Sequence, residues 1–396
     1  MTSWFADAFP VLRRNSLHLL GGRVSAQALA LLFVALAARR LGPADFGQFT
    51  VAAAVVLIGN TFTTFGTDTL LIRELAKASR VTHIASRTLT LQLVLSAIWI
   101  LAALILRISP ALTLYPVSLL PLAFFSVASA ILRAFERMDL FWVASLIHGA
   151  VQVIAALLAR DVLTLCAFLI VSHTLTALLT LWMCSASLPG FSLLPRLDFR
   201  PILKLTLPFA ALTTLSILSQ RFGVLSVAAW IDDSAAGLFS TAARVLEGLK
   251  LGHYALLGAL LPALSRGIQN PRRISLAVLS GLLVLSALIG GGVTVAARPI
   301  LLSLFGEVYL PAVPLLVVLI WSLVPYSVSA WLSVEMVARG KERALLTATA
   351  LSLPLTALLF FVLIEQFELV GAARAVLISE IVQASILIIV QWRSKS

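Results

Sequence analysis

The stretch SLHLLGGRVSAQALALLFVALAA (Ser16–Ala38) is followed, after RRLGPAD (Arg39–Asp45), by FGQFTVAAAVVLIGNTFTTFGTDTLLI (Phe46–Ile72). A helix needs about 20 apolar residues to cross a bilayer core, and each run supplies them. Ala35-Leu36-Ala37 has the small-residue pattern of a signal-peptidase site. The run before it is nevertheless longer than the ~7–15 residues of a signal-peptide core, and a second long run follows at once. The first run is therefore a retained transmembrane helix.

The same pattern recurs along the chain. Apolar runs and their polar breaks predict twelve spans, at 16–38, 46–72, 88–106, 111–132, 140–159, 162–183, 203–229, 235–262, 274–296, 311–334, 344–364 and 371–391. Composition agrees: 60% of the 396 residues are hydrophobic, 12% are charged, and the mean hydropathy is +1.05. Soluble domains hold about 45–50% apolar and about 25% charged residues, so a soluble globular fold is excluded. The expected fold class is an all-α polytopic membrane protein. Cys166 and Cys184 fall on one predicted helix, too far apart along it to form a disulfide.

The net charge is +12, which in a soluble protein would point to nucleic acid. Here the basic residues lie mostly in short loops between spans, so no nucleic-acid partner is expected. Nineteen of the 29 basic residues fall in one set of loops and tails, among them Arg73, Lys77, Arg272, Arg273, Lys341 and Arg343. The other set holds five: Arg39, Arg40, Arg107, Arg160 and Arg298. This asymmetry places both termini in the cytoplasm.

An internal repeat is visible at an offset of 190 residues, where Gly47 overlays Gly237 and Phe49 overlays Phe239. A second echo pairs Glu136-Arg137 with Glu342-Arg343, both after the fourth span of their half. Six spans per half is an even number, so the two copies share one orientation, related by an axis along the membrane normal. The expected division is an N-terminal six-helix lobe, residues 1–195, and a C-terminal six-helix lobe, residues 196–396.

The motif Ala38-Arg39-Arg40-Leu41-Gly42-Pro43-Ala44-Asp45-Phe46-Gly47 after the first span, with Phe65-Gly66-Thr67-Asp68-Thr69-Leu70-Leu71-Ile72-Arg73-Glu74-Leu75-Ala76 at the end of the second, resembles the polysaccharide-exporter flippases. These are the O-antigen flippase-like branch of the multidrug, oligosaccharidyl-lipid and polysaccharide (MOP) superfamily. Leu304-Phe305-Gly306-Glu307-Val308-Tyr309 and Ala338-Arg339-Gly340-Lys341-Glu342-Arg343 extend the resemblance. It implies two pseudosymmetric six-helix lobes around a central cavity that opens alternately to each side. The implied cargo is an undecaprenyl-diphosphate-linked oligosaccharide for surface polysaccharide such as lipopolysaccharide O-antigen. The implied location is the bacterial cytoplasmic (inner) membrane, with membrane lipid and a glycan polymerase or ligase as further partners. No cofactor is implied.

Five basic side chains remain inside spans: Arg23, Arg221, Arg244, Lys250 and Arg374. Charge at a bilayer centre costs about 2.5–3.5 kcal/mol on insertion scales, so these groups should face protein or water. Ser16, Arg23 and Gln27 share a helical face, as do Asn60, Thr64 and Asp68, Thr214 and Arg221, and Ser240, Arg244 and Gly248. Spans 1, 2, 7 and 8 thus each carry a polar stripe, and by the repeat Lys250 overlays Asn60. Arg23, Gln27, Asn60, Arg221, Arg244 and Lys250 are the candidate substrate-binding residues, because guanidinium and ammonium groups suit a diphosphate.

Structural readings stand beside these. Arg23 and Arg221 are within snorkelling reach of a membrane surface, Arg244 and Glu247 are spaced to pair at i,i+3, and Arg374 begins its span and reads as interfacial. Asp68 and Glu247 are candidates for ion coupling, with Glu335 and Glu380 as further acids, although Glu335 and Arg339 are spaced to pair at i,i+4. Gly21, Gly22 and Pro208 are candidate hinges, since glycine pairs and proline loosen a helical ladder. Pro325, Pro354 and Gly290-Gly291-Gly292 interrupt later spans or, for the glycines, allow close packing.

The five histidines, His18, His83, His148, His173 and His253, show no common face. No Walker loop, zinc motif or nucleophile elbow is present, so an enzyme is not expected. A cation-coupled multidrug exporter of the same superfamily is the competing reading, favoured by carboxylates rather than arginines in the spans. A non-transporting membrane scaffold would need no polar stripes.

Overall fold

A computed structural model describes residues 2–68, 71–72, 81–106, 109–187, 193, 198, 200–265 and 271–393. Within these, the side chains of 2–24, 81–82, 200–201, 204–205, 207–209, 211–212, 251, 254–255, 258–265, 271–272, 342 and 393 lie outside the description. The described residues are helical without a strand. The Thr2–Thr64 stretch changes direction at Gly42, whose φ of 74° and ψ of 173° break the helical ladder. Glycine tolerates that conformation, and Pro43 follows it where a missing N–H costs nothing. The stretch is therefore two helices, α1 (2–41) and α2 (43–64). Next come α3 (Val81–Leu106), α4 (Pro110–Ala134), α5 (Met138–Leu158), α6 (Val162–Ser187), α7 (Arg200–Trp230), α8 (Asp233–Ser265) and α9 (Pro271–Phe305). The tenth, α10 (307–338), bends by 45° between Ile320 and Leu323. The Glu342–Arg393 stretch breaks at Glu368 (φ 50°) into α11 (342–367) and α12 (369–393).

Twelve helical spans thus stand among the described residues at the places expected from the sequence, except that the second, expected over 46–72, ends at Thr64, where Phe65 (φ 51°) and Gly66 (φ 66°) break the helical ladder. Seven described helices, or eight with the bent pair, are long and apolar enough to cross a membrane. Two of those, Ser25–Thr64 with 40 residues and Arg343–Trp392 with 50, are too long for one ~30 Å crossing and are double spans. The two spans outside this set, α7 and α8, carry Arg221, Arg244, Glu247 and Lys250.

Helix α6 illustrates how the spans sort their faces. Leu165, Leu169, Ser172, Thr176 and Thr180 are buried, while Val171, Leu175, Leu178 and Trp182 are exposed. In a bilayer the apolar face is the outer one, and inward hydroxyls must find acceptors within the protein. Thr176 donates to the Ser172 carbonyl at 2.8 Å and Thr180 to the Thr176 carbonyl at 2.7 Å. The Gly290-Gly291-Gly292 run leaves α9 helical, and a Cβ on Gly290 would lie 3.4 Å from the Trp321 ring, which is the close-packing use of glycine.

The chain divides into two compact units. The first comprises Met1–Leu41 and Val51–Ile217; the second comprises Gly42–Thr50 and Leu218–Ser396. The second unit therefore includes the first turns of α2, whose Phe46 is fully buried and meets Tyr309 edge-on with centroids 6.2 Å apart. The 190-residue repeat is expressed inside this unit as a reciprocal contact. A Cβ on Gly47 would lie 1.6 Å from the Asp233 carbonyl oxygen, and one on Gly237 would lie 2.1 Å from the Pro43 carbonyl oxygen. Ser240 donates to Thr50 at 3.1 Å across the same 190-residue separation. Each residue meets the partner of its own equivalent, the signature of a local two-fold.

The second sequence echo needs a shift of two residues. After α4 the Arg137 N–H closes on the Leu132 carbonyl at 2.9 Å, and after α10 the Lys341 N–H closes on the Met336 carbonyl at 2.9 Å. The residues in left-handed conformation are Glu136 (φ 56°) and Gly340 (φ 70°), so Glu136 corresponds to Gly340. The helix-ending turn is what repeats, and it asks for glycine at that place. Replacing Glu136 with glycine is expected to stabilise the protein by about 1 kcal/mol, seen as a raised midpoint of thermal unfolding in detergent.

Candidate functional site

The charged residues of α7 and α8 form one cluster. Glu247 and Arg244 are a turn apart on α8, and Arg221 reaches them from α7. The Arg221 Nη1 donates to Glu247 Oε1 at 2.8 Å and Arg244 Nη1 to Glu247 Oε2 at 2.9 Å. One carboxylate is thus shared by two guanidinium groups, and the cluster keeps a net charge of +1. Arg221 is the most enclosed member at 15% side-chain exposure, against 32% for Arg244 and 34% for Glu247. Its Nε is buried without a hydrogen-bond partner among the described residues. The expected i,i+3 pair therefore exists, but it does not neutralise the cluster, because a second arginine joins it.

Lys250, six residues beyond Arg244 on α8, is paired as well. Its Nζ lies 3.3 Å from Glu380 Oε1 on α12 and 4.0 Å above the Tyr326 ring on α10. A carboxylate and an aromatic face together balance an ammonium held away from water. Neither the Glu380 contact nor the Tyr326 contact is visible in sequence spacing. The expected Glu335–Arg339 pair is present, and Gln391 also donates to Glu335 at 2.7 Å. Arg374 lies over the Phe367 ring at 4.3 Å.

The first unit holds the remaining candidates. Asp68 accepts from Ser126 at 2.8 Å and pairs with Arg133 at 3.3 Å, while buried Gln92 donates to Thr67 at 2.8 Å. The carboxylate singled out for ion coupling is therefore held by an arginine from α4. Gln27 and Asn60 are half-buried in α1 and α2. The side chains of Arg23, Gly21, Gly22 and Pro208 lie outside the described residues. Cys166 and Cys184 are free and buried, as their spacing requires.

One grouping departs from the sequence expectation. His148 of α5 and His173 of α6 stack with centroids 5.1 Å apart, with Phe125 beyond His148 and Tyr115 beyond His173. The two histidines share no helix, so no periodicity relates them. Only the packing of α5 on α6 brings them together.

Among the described residues the chain is helical, with twelve spans, a repeat-related contact and acidic and basic side chains inside the spans, an architecture shared with transporters of the MOP superfamily. Residues 12–268 match the polysaccharide biosynthesis protein family, and the chain belongs to that family. Its fold is similar to that of the lipid II flippase MurJ in an inward closed conformation (TM-score 0.78, 12% identity, 96% of this chain and 87% of that one). It is similar also to a multidrug resistance MATE family transporter in its inward-facing conformation (TM-score 0.74, 16% identity, 93% and 94% covered). A third similar structure is a MOP superfamily transporter from Pyrococcus furiosus described as having a binding pocket of reverse polarity (TM-score 0.64, 15% identity, 97% and 95% covered). No curated protein matches the sequence significantly.

Proposed function

We propose that this protein is a flippase that carries an undecaprenyl-diphosphate-linked oligosaccharide across the bacterial inner membrane by alternating access, for assembly of a surface polysaccharide such as O-antigen. The observation that carries the reading is the Arg221–Glu247–Arg244 cluster: in-span guanidinium groups in excess over their carboxylate, with one buried donor unused. A diphosphate is the part of the cargo common to any glycan, and forked guanidinium donors are suited to it. Arg23, Gln27, Asn60 and Lys250 complete the proposed binding set. Two lobes, 1–195 and 196–396, would rock about bends at Gly21-Gly22 and Pro208, with both termini cytoplasmic and Asp68 and Glu247 coupling ions. Such a carrier works beside a glycan polymerase or ligase and needs no cofactor.

Complementation of surface-glycan export in a flippase-deficient strain tests this reading, with membrane levels checked by immunoblot. Glutamine at Arg221 or Arg244 should cut export at least tenfold, because losing one charged contact in a poorly solvated site costs about 2–5 kcal/mol. Lysine at either position should keep part of the activity, since charge remains while the fork is lost. Normal export by both glutamine variants at normal protein levels would count against a cationic site. Glu247 and Glu380, carboxylates inside spans, favour cation-coupled drug export as the second reading. Variants that export no glycan but confer drug resistance would select it.

A further inference from the structure

The stack of His148 and His173 in the first unit has no part in the cationic site. His148 lies ten residues into α5 from Met138, and His173 eleven into α6 from Val162. Both are therefore about 15 Å along helices that cross a ~30 Å core, beyond the reach of either surface by snorkelling. His173 is 5% exposed, and its Nδ1 is buried without a hydrogen-bond partner among the described residues. His148 is half-buried. Ionisable groups at such depth are costly and usually functional.

Hydrogen bonding fixes the protonation pattern of His148. The Thr176 hydroxyl gives its proton to the Ser172 carbonyl, so toward His148 Nδ1, at 3.1 Å, it acts as acceptor. Nδ1 therefore carries the ring proton, and Nε2 is left with its lone pair. A proton arriving at Nε2 makes an imidazolium that keeps the Thr176 bond. Its faces lie against the Phe125 ring, 5.8 Å away and inclined by 18°, and the His173 ring at 5.1 Å and 25°. Aromatic faces stabilise a cation without a counter-charge. From α4, Tyr115 Oη lies 3.4 Å from His173 Nε2 and is the polar neighbour of that ring. Among the described residues no carboxylate or cationic side chain contacts either imidazole. A second proton, on His173, would put two positive rings in contact in a low-dielectric surround, so the pair holds one proton at most.

We propose that the His148–His173 stack is a one-proton site, filled in one stage of the transport cycle and emptied in another, which makes the proton the coupling ion and assigns its coupling to this pair rather than to Asp68 and Glu247, whose carboxylates are held by arginines. The proton adds to the lone pair of His148 Nε2 and leaves from the same atom, with no bond broken elsewhere. The proposal rests on the transporter reading for its purpose, but proton binding is measurable without transport.

The first measurement is a pH titration of the full-length protein, 15N-labelled at histidine, in lipid nanodiscs. The expected result is uptake of one proton, at His148, abolished in His148→Phe and kept in His173→Phe, which retains an aromatic face against His148. Two independent titrations, or none down to pH 4.5, overturn the proposal. The second measurement is glycan export in cells with and without nigericin to collapse the pH gradient. Wild-type export should slow on collapse, while His148→Phe should export at least tenfold more slowly and be indifferent to it. Thr176→Ser should behave as wild type and Thr176→Val as the histidine variant, which covers the case of a phenylalanine variant that fails to fold. A His148→Phe protein whose export still follows the gradient removes the site and leaves the flippase reading intact. Absence of export by the wild type, with the one-proton titration present, rejects the flippase reading and leaves the site.

Discussion

A single methyl group at Gly237 is expected to be among the most damaging small changes in this protein. The new Cβ would stand 2.1 Å from the Pro43 carbonyl oxygen, and the equivalent change at Gly47 would place one 1.6 Å from the Asp233 carbonyl oxygen. In both cases the obstacle is backbone, which cannot rotate aside as a side chain does. The helices must separate, and with them go the Ser240–Thr50 hydrogen bond and the burial of Phe46. Overpacking of this kind costs about 1–3 kcal/mol, and a backbone obstacle sits at the upper end. Gly237→Ala and Gly47→Ala should each lower the thermal unfolding midpoint in detergent by several degrees and reduce the monodisperse fraction on size exclusion. Gly248→Ala, on the same helix as Gly237, has nothing within 4 Å of the added Cβ. There alanine's better helix propensity should leave stability unchanged or raised by up to about 1 kcal/mol. Equal midpoints for all three variants would contradict the close helix contact.

Neutralising Glu247 is the second large effect. Its carboxylate holds both Arg221 and Arg244, so Glu247→Gln leaves two like charges facing each other with no counter-ion, whereas Arg221→Gln leaves an ordinary i,i+3 pair. Removing one member of a fully buried ion pair costs about 3–5 kcal/mol, and with a third of Glu247 exposed the expected loss is about 1–3 kcal/mol. Glu247→Gln should therefore destabilise the protein more than Arg221→Gln. The double variant should recover part of the loss, because the repulsion left by the first change is removed by the second. Thermal unfolding of the four proteins of this cycle measures the coupling. Additivity within about 0.3–0.5 kcal/mol would mean that the three side chains do not act as a unit.

The sequence alone carried much of the fold. Apolar run length gave the twelve spans, because backbone polar groups in a bilayer must bond within their own helix and every span must meet the same thickness. The Gly42-Pro43 break between α1 and α2 was legible for a similar local reason. The i,i+3 spacing of Arg244 and Glu247 and the i,i+4 spacing of Glu335 and Arg339 predicted pairs that helix geometry alone nearly enforces. The Gly47 and Gly237 correspondence at 190 residues was also readable, though not that the two glycines would pack on each other's neighbours. At the helix-ending turns the echo of like residues misled by two places, since the repeated feature is a left-handed backbone conformation, held by glycine in one copy and glutamate in the other.

What the sequence determined by itself is thus set along one helix: where a span lies, which residues share its face, and which neighbours a turn apart can pair. The tertiary structure alone decided the partners across helices. Arg221 joins Glu247 from 26 residues away, Lys250 finds Glu380 from 130, and His148 stacks on a histidine from the next span. The physical reason is that a helix fixes the direction of its own side chains. The neighbour's rotation and crossing angle, which no periodicity within either segment records, fix what they meet.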